Sequence, residues 1–201
     1  MNTQQLQGPC AIYFSRSAGK YGYLSNFYET QVVYRGLPFT SAEAAFQGMK
    51  TLNPAERVRF TNMNPGTAKK EGRKVLLRKD WEKVKFSEML EIQKAKYSQN
   101  QQLAQQLIST GQCLILERTS WRDNTWGRDF NSRHTVGKNY LGVCLMMTRA
   151  LLTNNFIVVL PNGVNIDLRQ YVYSYIVDKN GAKKMSDMFD WIYDNNLYVT
   201  N

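Results

Sequence analysis

Apolar and polar positions along the chain fall into two kinds of repeat. Aromatic and β-branched enrichment in "CAIYFSR", residues 10–16, predicts a strand, and "TQVVYRGLPFT", residues 30–40, predicts a strand pair around a turn at Arg35-Gly36. Between them, "SAGKYGYLSNFYE" reads as a Tyr-rich loop. Helical spacing begins at Thr40 and ends near Leu52, because Pro54 pushes Asn53 out of the helical region. A second helical block starts at Pro54 and breaks at Asn64-Pro65-Gly66. From residue 67 to 100 the period is again helical, with Leu and Met opposite a basic face, and it continues through "QQLAQQLIST" to a stop at Gly111.

"QCLILER", 112–118, is then a short apolar strand, and "NYLGVCLMMTRALL", from Asn139, a buried helix. Residues 119–138 carry neither period, and a connection of about twenty residues in a compact domain is usually functional or disordered. Two Trp and one Phe in that stretch favour function. The remainder predicts a strand pair around Pro161-Asn162-Gly163, a third strand in "YVYSYIV", a turn at Lys179-Asn180-Gly181, and a last helix capped by Ser186.

These elements predict an α+β fold: a mostly helical single domain with a small β-sheet over residues 1–150, and a C-terminal β-hairpin and helix extension over 151–201 packed on it. A length of 201 residues suits one domain with an appendage, and 43% hydrophobic residues suffice for a core. Three widely spaced cysteines and a single histidine predict neither structural zinc nor a disulfide scaffold. With no leader-like start and no long apolar run, the expected setting is soluble, reducing and cytoplasmic, with no membrane.

Charge sharpens the expectation about partners. The net charge is +10, and residues 151–201 contribute only four of the 26 Lys/Arg against five of the 16 Asp/Glu. The basic field therefore lies before residue 151. It favours an anionic partner, a phosphorylated small molecule or a nucleic acid, unless it is only a solvated face.

Among chemical groups, His134 lacks a nucleophile motif around it, and neither a P-loop nor a GxGxxG fingerprint is present. What remains is a set of acids, amines and indoles: Glu43 and Lys50, Trp81, and Asp123, Trp126 and Asp129 in the long connection. Thr40-Ser41-Ala42-Glu43 fits a capping box, which explains Glu43 without any function. Yet Glu43, Gln47 and Lys50 also share one helical face.

In order along the chain, "YGYLSNFY" (21–28), "SAEAAFQGMK" (41–50), "RKDW" (78–81), "DNTWG" (123–127), "VGKNYLG" (136–142) and "LMMTR" (145–149) resemble the NADAR family, the YbiA-like N-glycosidases. The resemblance covers residues 12–150. It implies hydrolysis, without a cofactor or metal, of the bond between a phosphorylated ribose or ADP-ribose and a base. Substrates of that kind are riboflavin-pathway intermediates and ADP-ribosylated guanine, in nucleic acid for example. It makes Glu43 the family's acid, Lys50 its helix lysine, and Trp81 and Trp126 rings that stack on the base.

Two departures stand out. Arg128 follows Trp126-Gly127 where riboflavin-type members carry an acid, so Asp129 is the second carboxylate only if the loop shifts by one residue. Ala44 and Ala45 replace larger residues, which is expected to widen a pocket. Asn26, Gln47, Asp123, Gly127 and Arg128 complete the expected binding set, with Lys138 and Asn139 at a helix start that either offers N–H groups to a phosphate or is simply capped by Asn139. A non-catalytic module that binds ADP-ribose, NAD or nucleic acid is the alternative; a homo-oligomer fits either reading.

Overall fold

The computed structural model describes residues 10–16, 18–119, 123–129, 137–169 and 171–172. Among them are six α-helices and three small sheets, the expected α+β class. The chain divides into two compact units, one formed by residues 15–105 and the other by residues 1–14 with 106–201.

In the unit of residues 15–105, β2 (Glu29–Tyr34) and β3 (Leu37–Ser41) form an antiparallel hairpin. Its turn has positive φ at both Arg35 and Gly36, the geometry that matches the twist of paired strands. Helices α1 (Ala42–Gly48), α2 (Pro54–Arg59), α3 (Pro65–Glu71) and α4 (Trp81–Ser98) follow. Asn53 and Asn64 cap α2 and α3 through their side chains, each with proline in the first turn, as proline's missing N–H allows. Buried Glu88 on α4 accepts the Tyr34 hydroxyl at 2.8 Å and the Arg35 guanidinium at 2.7 Å, tying the hairpin to that helix.

The single helix expected over 67–100 is instead α3 and α4 separated by residues 72–80, and a further break at Gln99-Asn100 starts α5 (Gln101–Ile108). Asn100 accepts a hydrogen bond from the Leu103 N–H, so a cap residue hidden in a helical period makes the second break.

In the other unit, β1 (Ala11–Phe14), β4 (Leu114–Thr119) and β5 (Arg128–Asp129) form a parallel sheet in the order β1-β4-β5. Helix α6 (Tyr140–Thr153) packs on β4, and β6 (Ile157–Val159) with β7 (Asn165–Asp167) forms the hairpin expected around residue 162. Residue 150 falls inside α6. Tyr171 and Val172 are helical where a third strand was expected; the turn at 179–181 and the last helix lie outside the described residues.

Cys10 and Cys113 are joined by a disulfide, where a reducing setting and no disulfide scaffold were expected. The reason is register: Ala11 pairs with Leu114, so the preceding residues face each other with Cα atoms 4.9 Å apart, within bridging distance. Among the described residues no helix is long and apolar enough to cross a membrane.

Candidate functional site

Helix α1 begins one residue later than its sequence suggests. Ser41, in extended conformation, is the N-cap, and its hydroxyl accepts from the Ala44 N–H at 3.1 Å. Thr40 instead donates its hydroxyl to the Met63 carbonyl. The Thr40–Glu43 capping box is therefore not the helix start: Glu43 occupies the second helical position, one short of where such a box places its acid.

Glu43 is 5% exposed. Its backbone N–H donates to the Asn26 carbonyl at 3.0 Å, and its Oε1 accepts from Gln47 Nε2 at 2.8 Å. Gln47 is buried beside it, and Gly72 lies so close that a Cβ there would stand 2.0 Å from Gln47 Oε1. Only glycine leaves room for the amide in this position.

Lys50 follows the helix, with Nζ 3.4 Å from the Gly72 carbonyl oxygen. Burial pulls its amine below the usual lysine range; Lys69 and Arg73 push the same way, and Glu43 opposes them. Desolvation thus outweighs the pull of the neighbouring carboxylate, a shift in the direction that favours the neutral amine. Lys69 and Arg73 were not singled out from the sequence, where they look like the solvated side of a basic helix. Lys69 Nζ lies 5.3 Å from the Phe27 ring centroid.

Asn26 is buried, its Oδ1 accepting from Gln93 Nε2 at 2.7 Å and its Nδ2 lying 3.4 Å from Met89 Sδ. Both ends of its amide face α4. Trp81 is buried with its ring 5.0 Å from that of Phe46, joining α4 to α1. Ala44 and Ala45 are fully enclosed. Their small side chains serve packing, and neither lines a solvent-filled opening.

The second group of expected residues belongs to the other unit. Asp123 Oδ1 accepts from the Thr125 and Trp126 N–H groups at 3.2 and 2.9 Å, closing a turn. Trp126 is half-buried, edge-on to Tyr140 at 6.1 Å, and Lys138 Nζ lies 5.5 Å from the Tyr140 ring. Gly127 is pressed against Thr119, 2.4 Å from where a Cβ would stand to Thr119 Cγ2. Arg128 and Asp129 are both buried on β5, and Arg128 donates to the Gly137 carbonyl at 2.8 Å. Successive residues of a strand point to opposite faces, so these two cannot substitute for one another without a register shift.

One of the two readings of this helix start, that it offers a phosphate open N–H groups, does not fit residues 138–141, whose N–H groups are taken. Those of Lys138, Asn139, Tyr140 and Leu141 donate to the carbonyls of Asn124, Gly127, Thr125 and Trp126 at 2.9–3.3 Å, so the Trp-Gly turn itself occupies the helix start. Asn139 does not cap α6 with its side chain either. It is fully buried with φ 53°, and its amide accepts from Glu117 N at 2.9 Å and donates to Ile115 O at 2.8 Å, extending the hydrogen bonding of β4.

In this α+β protein, helix α1 carries a buried acid paired with an amide, and a desolvated lysine follows just beyond the helix end. Residues 13–153 match the NADAR domain, and the chain belongs to this family. It is 32% identical over 152 residues to the N-glycosidase YbiA of Escherichia coli K12, covering 74% of this chain and 92% of that protein. A riboflavin biosynthesis protein, VVA0006 of Vibrio vulnificus, is 32% identical over 141 residues, which is 69% of this chain and 37% of that longer protein. The NMR structure of E. coli YbiA superposes with a TM-score of 0.65 at 31% identity, over 76% of this chain and 90% of that one.

Proposed function

We propose that the chain is an N-glycosidase that hydrolyses the bond between a base and a phosphorylated ribose or ADP-ribose. The observation that carries this reading is Glu43: a buried carboxylate oriented by Gln47, tethered through its backbone to Asn26, and near the desolvated Lys50. Family membership supports the reaction class, since YbiA is named an N-glycosidase.

Breaking the ribosyl C–N bond sends its electron pair to the base and leaves positive charge on the anomeric carbon. Glu43 stabilises that charge and takes a proton from the attacking water, while the departing base is protonated. General acid–base help of this kind is worth about 10²- to 10⁴-fold. Lys50 acts either as the group that exchanges a proton with Glu43 or by attacking the anomeric carbon, expelling the base and forming a Schiff base with the opened ribose that water then releases. Lys69 and Arg73 beside Lys50 support an anionic substrate. Trp81 and Trp126 keep, as proposals, the base-stacking role of the resemblance, and Asp129 the second-carboxylate role only with a one-residue shift of β5; Trp126, half-buried, is the more exposed of the two rings. The proposed setting is the cytoplasm, where phosphorylated nucleosides are at hand.

The test is product analysis with three substrates: DNA bearing ADP-ribosyl-guanine, NAD, and a ribosylamino-pyrimidine phosphate of the riboflavin pathway. The basic field favours the first, and the Vibrio relative's name the third. Release of a free base from at least one, lost in Glu43→Gln, is expected. Tight binding without release from any would turn the reading to a binding module.

A further inference from the structure

Helix α4 presents Met89, Gln93 and Lys96 along one buried line, at spacings of four and three residues. All three meet the segment around Asn26. Lys96 Nζ donates to the Tyr23 carbonyl at 2.7 Å and to the Ser25 carbonyl at 2.9 Å, Gln93 donates to Asn26 Oδ1, and Met89 Sδ lies against Asn26 Nδ2. Tyr97 adds its hydroxyl to the Tyr23 carbonyl at 3.2 Å. The Asn26 backbone then accepts the Glu43 N–H. A continuous set of hydrogen bonds runs from Lys96 through residues 23–26 to the start of the helix that carries Glu43.

Lys96 is 0% exposed, and among the described residues its contacts are two carbonyls and the ring faces of Tyr28 and Tyr97 at 5.7 and 5.1 Å, without a carboxylate. Burying an ammonium this way is unfavourable: desolvation lowers its pKa to about 7. A methionine or leucine would fill similar volume without that penalty. What an apolar side chain cannot do is hold two carbonyls of an irregular segment at once.

We propose that Lys96 is a positioning residue for the hydrolytic site: its ammonium fixes the 23–26 segment, and through Asn26 the placement of Glu43. The proposal rests on the N-glycosidase reading for its activity arm, and on the structure alone for its structural arm. Lys96 touches no reacting atom in this account; it acts only through the segment it holds.

The experiment compares full-length wild type with Lys96→Met, and with Lys96→Gln, which keeps a donor for one carbonyl and guards against failure of the first variant to fold. Two quantities are read at one pH: steady-state kcat and KM, and the hydrogen-exchange rate of the Glu43 amide against those of α6 amides as internal reference. The expected result is a kcat lower by about 10- to 100-fold in Lys96→Met. KM should stay within about threefold, and the Glu43 amide should exchange at least about tenfold faster while α6 is unchanged; Lys96→Gln should fall between. Unaltered kcat, or reduced kcat with an unaltered Glu43 amide, would overturn the proposal. If wild type cleaves none of its substrates, the activity reading fails, and exchange at Glu43 still decides whether Lys96 holds the helix start.

Discussion

Gln47 holds Glu43 from one turn further along α1: its Nε2 donates to Glu43 Oε1 at 2.8 Å, while its own Oε1 looks onto the backbone of Gly72. The glycine and the carboxylate are thereby linked through one amide. Gly72→Ala is expected to displace Gln47, at a cost of about 1–3 kcal/mol for overpacking, and to reduce turnover by about tenfold or more. Adding Gln47→Ala removes the amide but leaves a Cβ 2.9 Å from the new one, so it should restore only part of the stability and none of the activity. Denaturant midpoints and turnover of the two variants check this.

Lys50 is shifted down by burial first, and by Lys69 and Arg73 after it. Removing a like charge favours the protonated amine, so Lys69→Met should move the Lys50 titration to higher pH. Arg73 is exposed and better screened, so its removal should matter less. The pH dependence of modification of Lys50 by an amine-selective reagent, followed by peptide mapping, reports the shift. In the N-glycosidase account, borohydride trapping of a ribose adduct would follow the same displacement.

Lys96 couples stability to pH. Its pKa falls from 10.5 to about 7 on burial, so between those values the unfolded chain binds a proton that the folded protein does not. Stability linked to this group therefore rises with pH from about 7 to about 10.5, at up to about 1.4 kcal/mol per pH unit. Below 7 both states are protonated and the full burial penalty is present. Above 10 the buried Tyr97, whose pKa is raised by the same desolvation, reverses the trend. Urea unfolding at a series of pH values should show the rise in wild type and its absence in Lys96→Met.

Asn139 is built into the architecture of β4. Its side chain closes two backbone hydrogen bonds of β4, to Glu117 N and Ile115 O. Asn139→Leu leaves a buried donor and a buried acceptor unpaired and should lower stability by about 2–4 kcal/mol. Asn139→Asp, which restores an acceptor but no donor, should recover only part of this in thermal denaturation.

The sequence made some of these features legible and concealed others for identifiable reasons. Arg35-Gly36 was readable as a hairpin turn because few residues tolerate positive φ at both positions. The start of α1 slipped by one residue because Thr40 and Ser41 are equally good caps, and only the hairpin register decides between them. The break after α3 was missed because Gly72 sits in a run that keeps its helical period; its purpose shows only when Gln47 is brought beside it. Although Lys50 lies beyond the helix end at Gly48, Glu43 and Gln47 were legible as a pair on one face of α1. Lys96 was not, since a lysine in a basic helix gives no sign of being buried until residues 23–25 turn their carbonyls toward it. The N–H groups of residues 138–141 looked available for the opposite reason: the carbonyls that occupy them come from a segment without periodicity.

The central claim, that Glu43 organises cleavage of a ribosyl C–N bond, is tested most directly by chromatographic detection of free base from ADP-ribosyl-guanine DNA, NAD and the ribosylamino-pyrimidine phosphate, with wild type and a folded Glu43→Gln variant. The account predicts base release from at least one substrate by wild type, reduced by about 10²-fold or more in the variant. Equal release by both proteins would contradict it.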